Sequence, residues 1–493
     1  MENLAAAVSQ LASVEVLLAI LIGTTFGTIV GALPGMGTVL ALVVALPFTY
    51  SMSSIAAITL LLCIYASSVY GGSISAILIN TPGTPQSAAT VLDGYPMAQR
   101  GEANLALGWC TAASTFGGLF SLVILIIAAP QLARFSLRFG PAETFALILF
   151  ALTCIAWVSR GSMLKGLLAG VIGLFLAMIG TDNMTGMPRF DYGVGVLSGG
   201  LALISLLIGL FALSEVFMRA AKYVPEKRES KFANVGFRLA PWREWRIRIK
   251  ALVQSSLIGT LIGILPGTGA TAATFVSYAE VRRTSRRAEN FGKGEPDGII
   301  ASEASNNAVT GGALVPTLAL GIPGDGGTAV MLGALLIHGI IPGVQLLNNS
   351  PEVLTGIFIV LAIANVLMFV VGALGAQVFT RVLRMPEPLL MGMVLVMSLV
   401  GAYTVRGNPL DVLVAVIAGV AGVFMRFLGV PMAPIVIGMA LGLNFEESLR
   451  QGLMFSGGDF LSFFQQPIAL VLFIITAVII AWPIVKAFRA RKK

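Results

Sequence analysis

Apolar stretches long enough to cross a bilayer follow one another along almost the whole chain, with short loops between them. A spanning helix needs about 20 apolar residues. Whole or broken spans are predicted near residues 15–33, 37–48, 54–79, 104–129, 142–158, 162–181, 193–217, 249–276, 299–322, 326–341, 353–380, 388–404, 409–428, 430–444 and 466–485. Several are too short or too rich in glycine to cross alone. The pattern predicts an all-α polytopic membrane protein with about 10–14 membrane segments.

The composition also indicates a membrane protein, and it favours one whose helices are broken. Hydrophobic residues make up 57% of the chain and charged residues only 11%, whereas soluble domains are about 25% charged. A soluble enzyme, a disordered chain and a disulfide scaffold are therefore excluded. The 56 glycines and 23 prolines favour broken helices, which a membrane tolerates only where they line a buried or watery cavity. A transporter or channel is expected rather than an anchor.

The positive charge lies in loops beside apolar spans, which indicates a lipid bilayer rather than nucleic acid as the partner. A basic linker, residues 218–248, separates a first membrane repeat, residues 1–217, from a second, residues 249–493. Basic loops near span ends remain in the cytoplasm. The linker and the basic C-terminal tail, KAFRARKK, are therefore both expected there.

The two halves resemble each other in sequence. Gly27–Ala41 reads GTIVGALPGMGTVLA and Gly259–Ala273 reads GTLIGILPGTGATAA. Gly71-Gly72 followed by TPGT matches Gly311-Gly312 followed by IPGD. Internal repeats are typical of secondary transporters, whose binding site lies at the repeat interface. Counting spans between two basic segments favours parallel repeats, but one miscounted hairpin would make them inverted.

The LPGxG motif, at residues 33–37 and 265–269, predicts a break in the helix. Proline removes a backbone donor and glycine permits positive φ. The second copy lies between two basic segments, so a re-entrant hairpin with its tip at residues 266–271 keeps both ends in the cytoplasm. The alternative is a single span kinked at proline.

A second pair of motifs places small polar residues beside apolar segments: Asn80–Ser87 in one half, and residues 306–328 in the other. Free N–H groups at the starts of half-helices bind anions, and unwound carbonyls bind sodium. The alternative is that the paired glycines only permit close packing of helices.

Three acids lie inside or beside apolar segments. Carboxylates within a membrane are rare and suggest ion or proton coupling. Glu303 shares a helix face with Asn306 and Asn307, and Asp325 lies in a Pro-Gly turn. The alternative for both acids is a helix cap or a loop salt bridge. Asp93 is expected to be a loop residue.

Signals for catalysis are poor. The chain has one histidine, His338, and no GxxxxGK[ST] motif. Cys63, Cys110 and Cys154 lie in apolar stretches and are expected to be core residues. Neither an enzyme nor a metal site is predicted, and no cofactor beyond a coupling ion, Na⁺ or H⁺.

Together these motifs resemble the large membrane subunit, TctA, of the tripartite tricarboxylate transporter family. The resemblance rests on residues 31–37, 70–103, 262–283 and 303–343 and covers essentially the whole chain. In the first repeat the family's signature falls on Gly31, Pro34, Gly35 and Gly37. In the second it falls on Gly263, Pro266, Gly267 and Gly269.

The resemblance implies a permease in the bacterial inner membrane, driven by a sodium or proton gradient. It also implies three partners: a small TctB-like membrane subunit, a periplasmic TctC-like solute-binding protein and an organic carboxylate. Glu303 and Asp325 are expected to couple the ion. The predicted substrate-binding residues are Pro34, Gly35, Gly37, Thr38, Asn80, Thr81, Gly83, Thr84, Pro266, Gly267, Thr268, Gly269, Thr271, Asn306, Asn307, Pro323 and Gly324.

The binding residues are expected to meet at the interface of the two repeats, where one unit rocks against the other. The alternative function is an uncoupled organic-anion channel, which would carry substrate without an ion gradient.

Overall fold

The structure is a computed structural model that describes residues 2–158, 162–221, 235–267, 269–383 and 385–491. Its helices in the first half are α1 (Glu2–Leu11), α2 (Val14–Ala32), α3 (Gly37–Ala45), α4 (Ser54–Ile79), α5 (Val91–Met97), α6 (Ala103–Ser136), α7 (Pro141–Val158), α8 (Met163–Ala177), α9 (Leu203–Leu207) and α10 (Ser214–Ala221). Those in the second half are α11 (Trp242–Ile264), α12 (Gly269–Thr284), α13 (Pro296–Leu320), α14 (Gly326–Ile337), α15 (Val344–Asn349), α16 (Pro351–Val382), α17 (Glu387–Thr404), α18 (Pro409–Phe427), α19 (Ala433–Phe455) and α20 (Pro467–Arg491).

Shorter elements link these helices. Two-residue strands, β1 (Gly180–Thr181) and β2 (Pro188–Arg189), pair antiparallel in the loop after α8. The π-helical turn Ile208–Leu213 joins α9 to α10. Short 3-10 helices occupy Leu46–Ser51, Pro85–Ala88, Gly195–Gly199, Ala288–Asn290 and Phe460–Gln465, and a π-helical turn occupies Ala98–Glu102.

The predicted fold class is confirmed. In the described part of the chain, eight helices have the length and composition of membrane spans, and five shorter apolar helices accompany them. One predicted span was wrong in its limits: the span expected at 193–217 begins only at Leu203, after a loop and a 3-10 helix. The stretch 249–276 divides into α11 and α12 at the predicted break.

Both LPGxG motifs end a helix in the same way. Leu33 and Leu265 are extended, with φ of −73° and −77°. The glycines that follow take matching positive φ angles: +74° at Gly35 and +77° at Gly267, then +69° at both Gly37 and Gly269. Only glycine adopts these angles at little cost. The duplicated sequence therefore produces a duplicated backbone.

At each motif the chain turns back as a hairpin. In the first half, the carboxylate of Glu15, at the start of α2, accepts hydrogen bonds from the backbone N–H (2.9 Å) and the hydroxyl (2.8 Å) of Ser53. In the second half, Thr284 at the end of α12 donates to Gln254 of α11 at 3.1 Å. In both halves the chain thus runs back alongside the helix before the break, as the hairpin prediction requires and a single kinked span does not.

The equivalence continues through α4 and α13 at a spacing of 241 residues. Asn80 ends α4 in the left-handed conformation, and Gly321 ends α13 likewise, with φ of 57° and 68°. A Cβ at Gly71 would meet the carbonyl of Thr28, and one at Gly312 would meet that of Thr260. The structural partner of Gly71 is therefore Gly312, which sharpens the dipeptide match made from the sequence.

The two central helices, α4 and α13, cross in opposite directions. Glu303 accepts a hydrogen bond from Ser73 at 2.6 Å, and Asn307 donates to the carbonyl of Ala66 at 3.2 Å. Residue numbers therefore rise along α13 as they fall along α4. Since these helices are equivalent in sequence, equivalent elements of the two halves run antiparallel at the centre of the protein.

Elsewhere each half packs on the other reciprocally. α8 lies against α19, and α18 lies against the α9–α10 segment. Gly173 of α8 touches the backbone at Ile435, and Gly209 touches that at Ala415. The halves therefore interlock rather than lie side by side.

Three smaller expectations have clear outcomes. Cys63, Cys110 and Cys154 are buried and unpaired, as predicted. The loop assignment of Asp93 was wrong: it lies in α5, fully buried, and accepts bonds from the backbone N–H groups of residues 292, 294 and 295 and from the Tyr278 hydroxyl. The predicted linker is helical from Trp242 onward, and its residues 222–234 lie outside the described residues.

Close packing of α2 on α4 should make Gly31 intolerant of any side chain. A Cβ there would clash with the carbonyl of Ser68, which belongs to the backbone of α4 and cannot move alone. We expect Gly31→Ala to destabilise the protein by about 1–3 kcal/mol, measured as a lower midpoint of thermal unfolding in detergent. Gly392→Ala, on α17 where nothing lies near the new methyl group, is the control and should leave the midpoint unchanged or slightly higher. Equal midpoints for the two variants would contradict this packing.

Candidate functional site

A cavity of about 520 Å³ lies where the hairpin tips and the unwound segments of both halves meet. The first hairpin contributes residues 35–40 and the second contributes 269–271. The segments that follow α4 and α13 contribute residues 85–86 and 325–327. Phe211, Glu215, Arg426 and Ala433 complete the lining.

Six of the predicted site residues line this cavity: Gly35, Gly37, Thr38, Gly269, Thr271 and Asp325. The Thr38 hydroxyl accepts a hydrogen bond from the side-chain amide of Gln86 at 3.2 Å. This bond joins the first hairpin to the segment after α4. The structure therefore brings together groups that lie about three hundred residues apart in sequence.

Other predicted residues hold the lining in place from behind. The backbone N–H of Gly267 donates to the carbonyl of Gly324 at 2.7 Å, which fixes the second tip against the turn before α14. Gly83 donates to the carbonyl of Gly72 at 3.0 Å. The buried prolines of these turns, Pro266 and Pro323, do not line the cavity. Thr268 lies outside the described residues.

Asp325 caps α14 at the edge of the cavity. Its carboxylate accepts from the Thr328 N–H at 2.7 Å, and the Thr328 hydroxyl accepts from the Asp325 N–H at 2.8 Å, which makes a capping box. The other carboxylate oxygen accepts from the Tyr65 hydroxyl at 2.8 Å. Asp325 is therefore a helix cap, and it also faces the cavity.

The equivalent turn in the first half has no acid. Thr84 takes the place of Asp325, and it forms the same capping box with Ser87. Thr84 is buried, so it shapes the turn without reaching the cavity. Asn80 and Thr81 are exposed where α4 ends and do not line the cavity. The structure does not bring these three together with the lining residues.

Glu303 lies apart from the cavity, in a buried cluster of hydroxyl groups. Its carboxylate accepts hydrogen bonds from Ser73 of α4 (2.6 Å), Ser114 of α6 (2.9 Å) and Thr90 just before α5. The side chain is fully buried. A carboxylate here is surrounded by neutral donors and has no cation among its described partners, so nothing within the described residues balances its charge.

Asn306 and Asn307 hold the two central helices together. Their amide groups donate to the carbonyls of Val69 (3.3 Å) and Ala66 (3.2 Å) on α4. Their side-chain oxygens are buried and find no partner among the described residues. These two residues do not line the cavity.

Two charged residues of the cavity wall, Glu215 and Arg426, were not predicted from the sequence. Glu215 of α10 accepts from Arg219 at 2.6 Å and also from Arg426 of α18. Arg219 reaches the first hairpin tip and donates to the carbonyl of Pro34 at 2.9 Å. It also pairs with Glu387 at 2.7 Å. A signal was present, because the Glu-x-x-x-Arg spacing recurs as Glu446 and Arg450 in the second half.

The recurrence builds a second charged cluster away from the cavity. Arg189 makes two parallel bonds to Glu446, at 2.6 and 3.0 Å. Arg450 contacts Asp182 at 2.7 Å and Glu446 at 3.1 Å. The hydrogen bond from Arg450 lowers the pKa of the Asp182 carboxyl below its ordinary range. No residue of this cluster lines the cavity.

Comparison with known proteins finds a matching family and related proteins. The family model described as "Tripartite tricarboxylate transporter TctA family" matches residues 17–437. The chain is 33% identical over 471 residues to the "Uncharacterized 52.8 kDa protein in TAR-I ttuC' 3'region" of Agrobacterium vitis, covering 96% of this chain and 93% of that protein. It is 30% identical over 234 residues to the "Uncharacterized protein in TAR-II ttuC' 3'region" of the same organism, covering 48% of this chain and 97% of that protein.

The cavity geometry can be tested by cross-linking the two halves. A Cβ at Gly326 would lie 3.1 Å from a methyl carbon of Val39, and both residues line the cavity. We expect the double variant Val39→Cys/Gly326→Cys to react with a short bifunctional thiol reagent. After protease cleavage at a site inserted in the linker, the two halves should migrate as one band. The three native cysteines are buried. The pair Val39→Cys/Gly392→Cys is the control, and cross-linking that is no greater than in this control would refute the arrangement.

Proposed function

Since this chain belongs to the tripartite tricarboxylate transporter TctA family, we propose that it is the permease subunit of a secondary active uptake system for organic di- or tricarboxylate anions. The observation that carries the proposal is the cavity between the two duplicated hairpin tips. In this proposal the cavity holds the substrate, and the two halves alternate its access between the two sides of the membrane.

The antiparallel crossing of α4 and α13 supports inverted repeats. Equivalent helices that run in opposite directions are related by an axis across the helices, which lies in the membrane plane when those helices span the bilayer. The hairpin tips then approach the cavity from opposite sides. Transporters with inverted repeats bind substrate near the midplane, where two equivalent gates meet.

The polar groups of the cavity suit a carboxylate. Thr38 and Thr271 offer hydroxyl groups, and Gln86 offers a side-chain amide. The first residues of α14, Gly326 and Gly327, lie at a helix N-terminus, where N–H groups favour an anion. Donors set in protein away from bulk water bind an anion more strongly than exposed ones do.

Two acids argue for coupling to a cation. Asp325 faces the same cavity as the proposed anion, so its charge opposes binding unless a cation neutralises it. Glu303 is buried among hydroxyls on the helix that carries the cavity turn at its C-terminal end. Occupation of either acid by Na⁺ or H⁺ would favour anion binding, and this links the ion gradient to uptake.

The remaining features of the system follow from the family. The proposed partners are a small membrane subunit and a solute-binding protein that delivers the carboxylate. The proposed location is the bacterial inner membrane, with the basic linker and the C-terminal tail in the cytoplasm. The proposal involves no nucleotide and no enzymatic step, and the coupling ion is Na⁺ or H⁺.

The test is uptake of labelled citrate into proteoliposomes that contain the full chain and its partner subunits. We expect Glu303→Gln to lower ion-driven uptake about tenfold or more, because an amide cannot exchange a proton or offer a charge to sodium. Imposing sodium and pH gradients separately identifies the ion.

Glu280→Gln is the control, because among the described residues the Glu280 carboxylate pairs with Arg283 at the surface of α12. This variant should transport like the wild type. Wild-type uptake that persists without either gradient would instead establish the uncoupled channel. Unchanged coupling in Glu303→Gln would remove Glu303 from the ion site.

A further inference from the structure

Arg426 is the only cationic side chain among the described residues that line the cavity. It lies in the last turn of α18, and one of its terminal nitrogens donates to Glu215. Its Nε–H is buried and finds no partner within the described part of the chain. An unpaired N–H on a charged group inside a cavity is costly unless a ligand fills it.

We propose that Arg426 binds a carboxylate group of the transported anion and gives up Glu215 to do so. The inference rests on the proposed function and assigns the residue that recognises the carboxylate. The guanidinium presents parallel N–H donors that match the two oxygens of a carboxylate. With Glu215 displaced, Nε and a terminal nitrogen can bind one carboxylate together.

Glu215 still has a cationic partner after the exchange. Glu215 keeps its 2.6 Å contact with Arg219 when Arg426 leaves. Arg219 in turn is held by Glu387 and by the carbonyl of Pro34 at the first hairpin tip. Breaking a buried ion pair is expensive mainly when one partner is left uncompensated. Here both sides of the exchange keep a partner of opposite charge.

The same arrangement favours an anion with more than one carboxylate. Arg426 is the single cation described on the cavity wall, and the neutral donors Thr38, Thr271 and Gln86 also line it. One carboxylate can bind the guanidinium while another meets these neutral donors. A monocarboxylate would use only one of the two groups and should bind more weakly.

The second charged cluster offers a matched control. Arg189 pairs with Glu446 as Arg426 pairs with Glu215, and Glu446 keeps Arg450 when Arg189 is removed. Arg189 does not line the cavity. Arg189→Gln therefore removes the same charge from the same kind of cluster without touching the proposed carboxylate ligand.

The experiment measures binding of citrate, succinate and acetate to the purified full chain, from the rise in the midpoint of thermal unfolding at increasing ligand concentration. We expect Arg426→Gln to weaken citrate binding about 10- to 100-fold, the range for losing a hydrogen bond to a charged group. Arg426→Lys should lose less, because it keeps the charge without the paired donors. Glu215→Gln should bind citrate more tightly than the wild type, because the competing carboxylate is gone. Arg189→Gln should bind like the wild type.

The outcomes separate the two proposals. Equal citrate binding by the wild type and Arg426→Gln would overturn the role of Arg426 and leave the carboxylate cavity standing. Weaker binding in Glu215→Gln would overturn the exchange of partners. A wild type that binds none of the three acids in the presence of sodium, at neutral or acidic pH, would overturn the proposed substrate class and this inference with it. If Arg426→Gln does not fold, the Lys and Glu215 variants decide the question.

Discussion

The structure depends on the antiparallel contact between α4 and α13 in its interior. Almost every residue of both helices is buried, so this contact is made in protein rather than in lipid. Lipid tails give two helices no hydrophobic reason to associate, and close packing with interhelical hydrogen bonds must hold them together. The amides of Asn306 and Asn307, which donate to carbonyls of α4, supply those bonds. They also fix which residue lies opposite which, and so the register of the two halves.

This register brings the two hairpin tips and parts of the turns after α4 and α13 together. Helix ends carry unpaired backbone groups, which are costly in hydrocarbon. The hairpin tips and the turns after α4 and α13 concentrate such groups, and here they meet one another around a single cavity instead of meeting lipid. For example, the backbone N–H of Gly267 at the second hairpin tip donates to the carbonyl of Gly324 in the turn before α14. One broken helix thus provides the hydrogen-bond partner that another lacks. The side-chain hydroxyl groups of Thr38 and Thr271 also line this cavity, and under the proposed function they bind the substrate.

The sequence predicts the repeated architecture well because its strongest signals are local. LPGxG specifies positive φ angles through its glycines, and both copies adopt them. Counting spans favoured parallel repeats, and this did not anticipate the antiparallel crossing of α4 and α13, because orientation depends on how these two helices pack. Among the site residues, those in the hairpin tips were found from backbone chemistry. Glu303 was correctly read as a buried acid, but only the packing shows that Ser73, Thr90 and Ser114 surround it away from the cavity. Glu215 and Arg426 were not predicted to be site residues, because each lies near the end of an apolar span, where a charged residue is common.

The hairpin tips of the two halves have the same backbone conformation but different neighbours. This difference is relevant to the proposed transport cycle. Arg219 donates a hydrogen bond to the carbonyl of Pro34 at the first hairpin tip. Its sequence equivalent, Arg450, contacts Asp182 and Glu446 instead, and the second tip packs against Ile155. The two copies of the hairpin tip therefore make different contacts. For a permease with inverted repeats, exchanging the environments of the two copies converts one access state into the other. Under the proposed function, the present arrangement is one of those two states, with the first tip held and its charged cluster facing the substrate cavity.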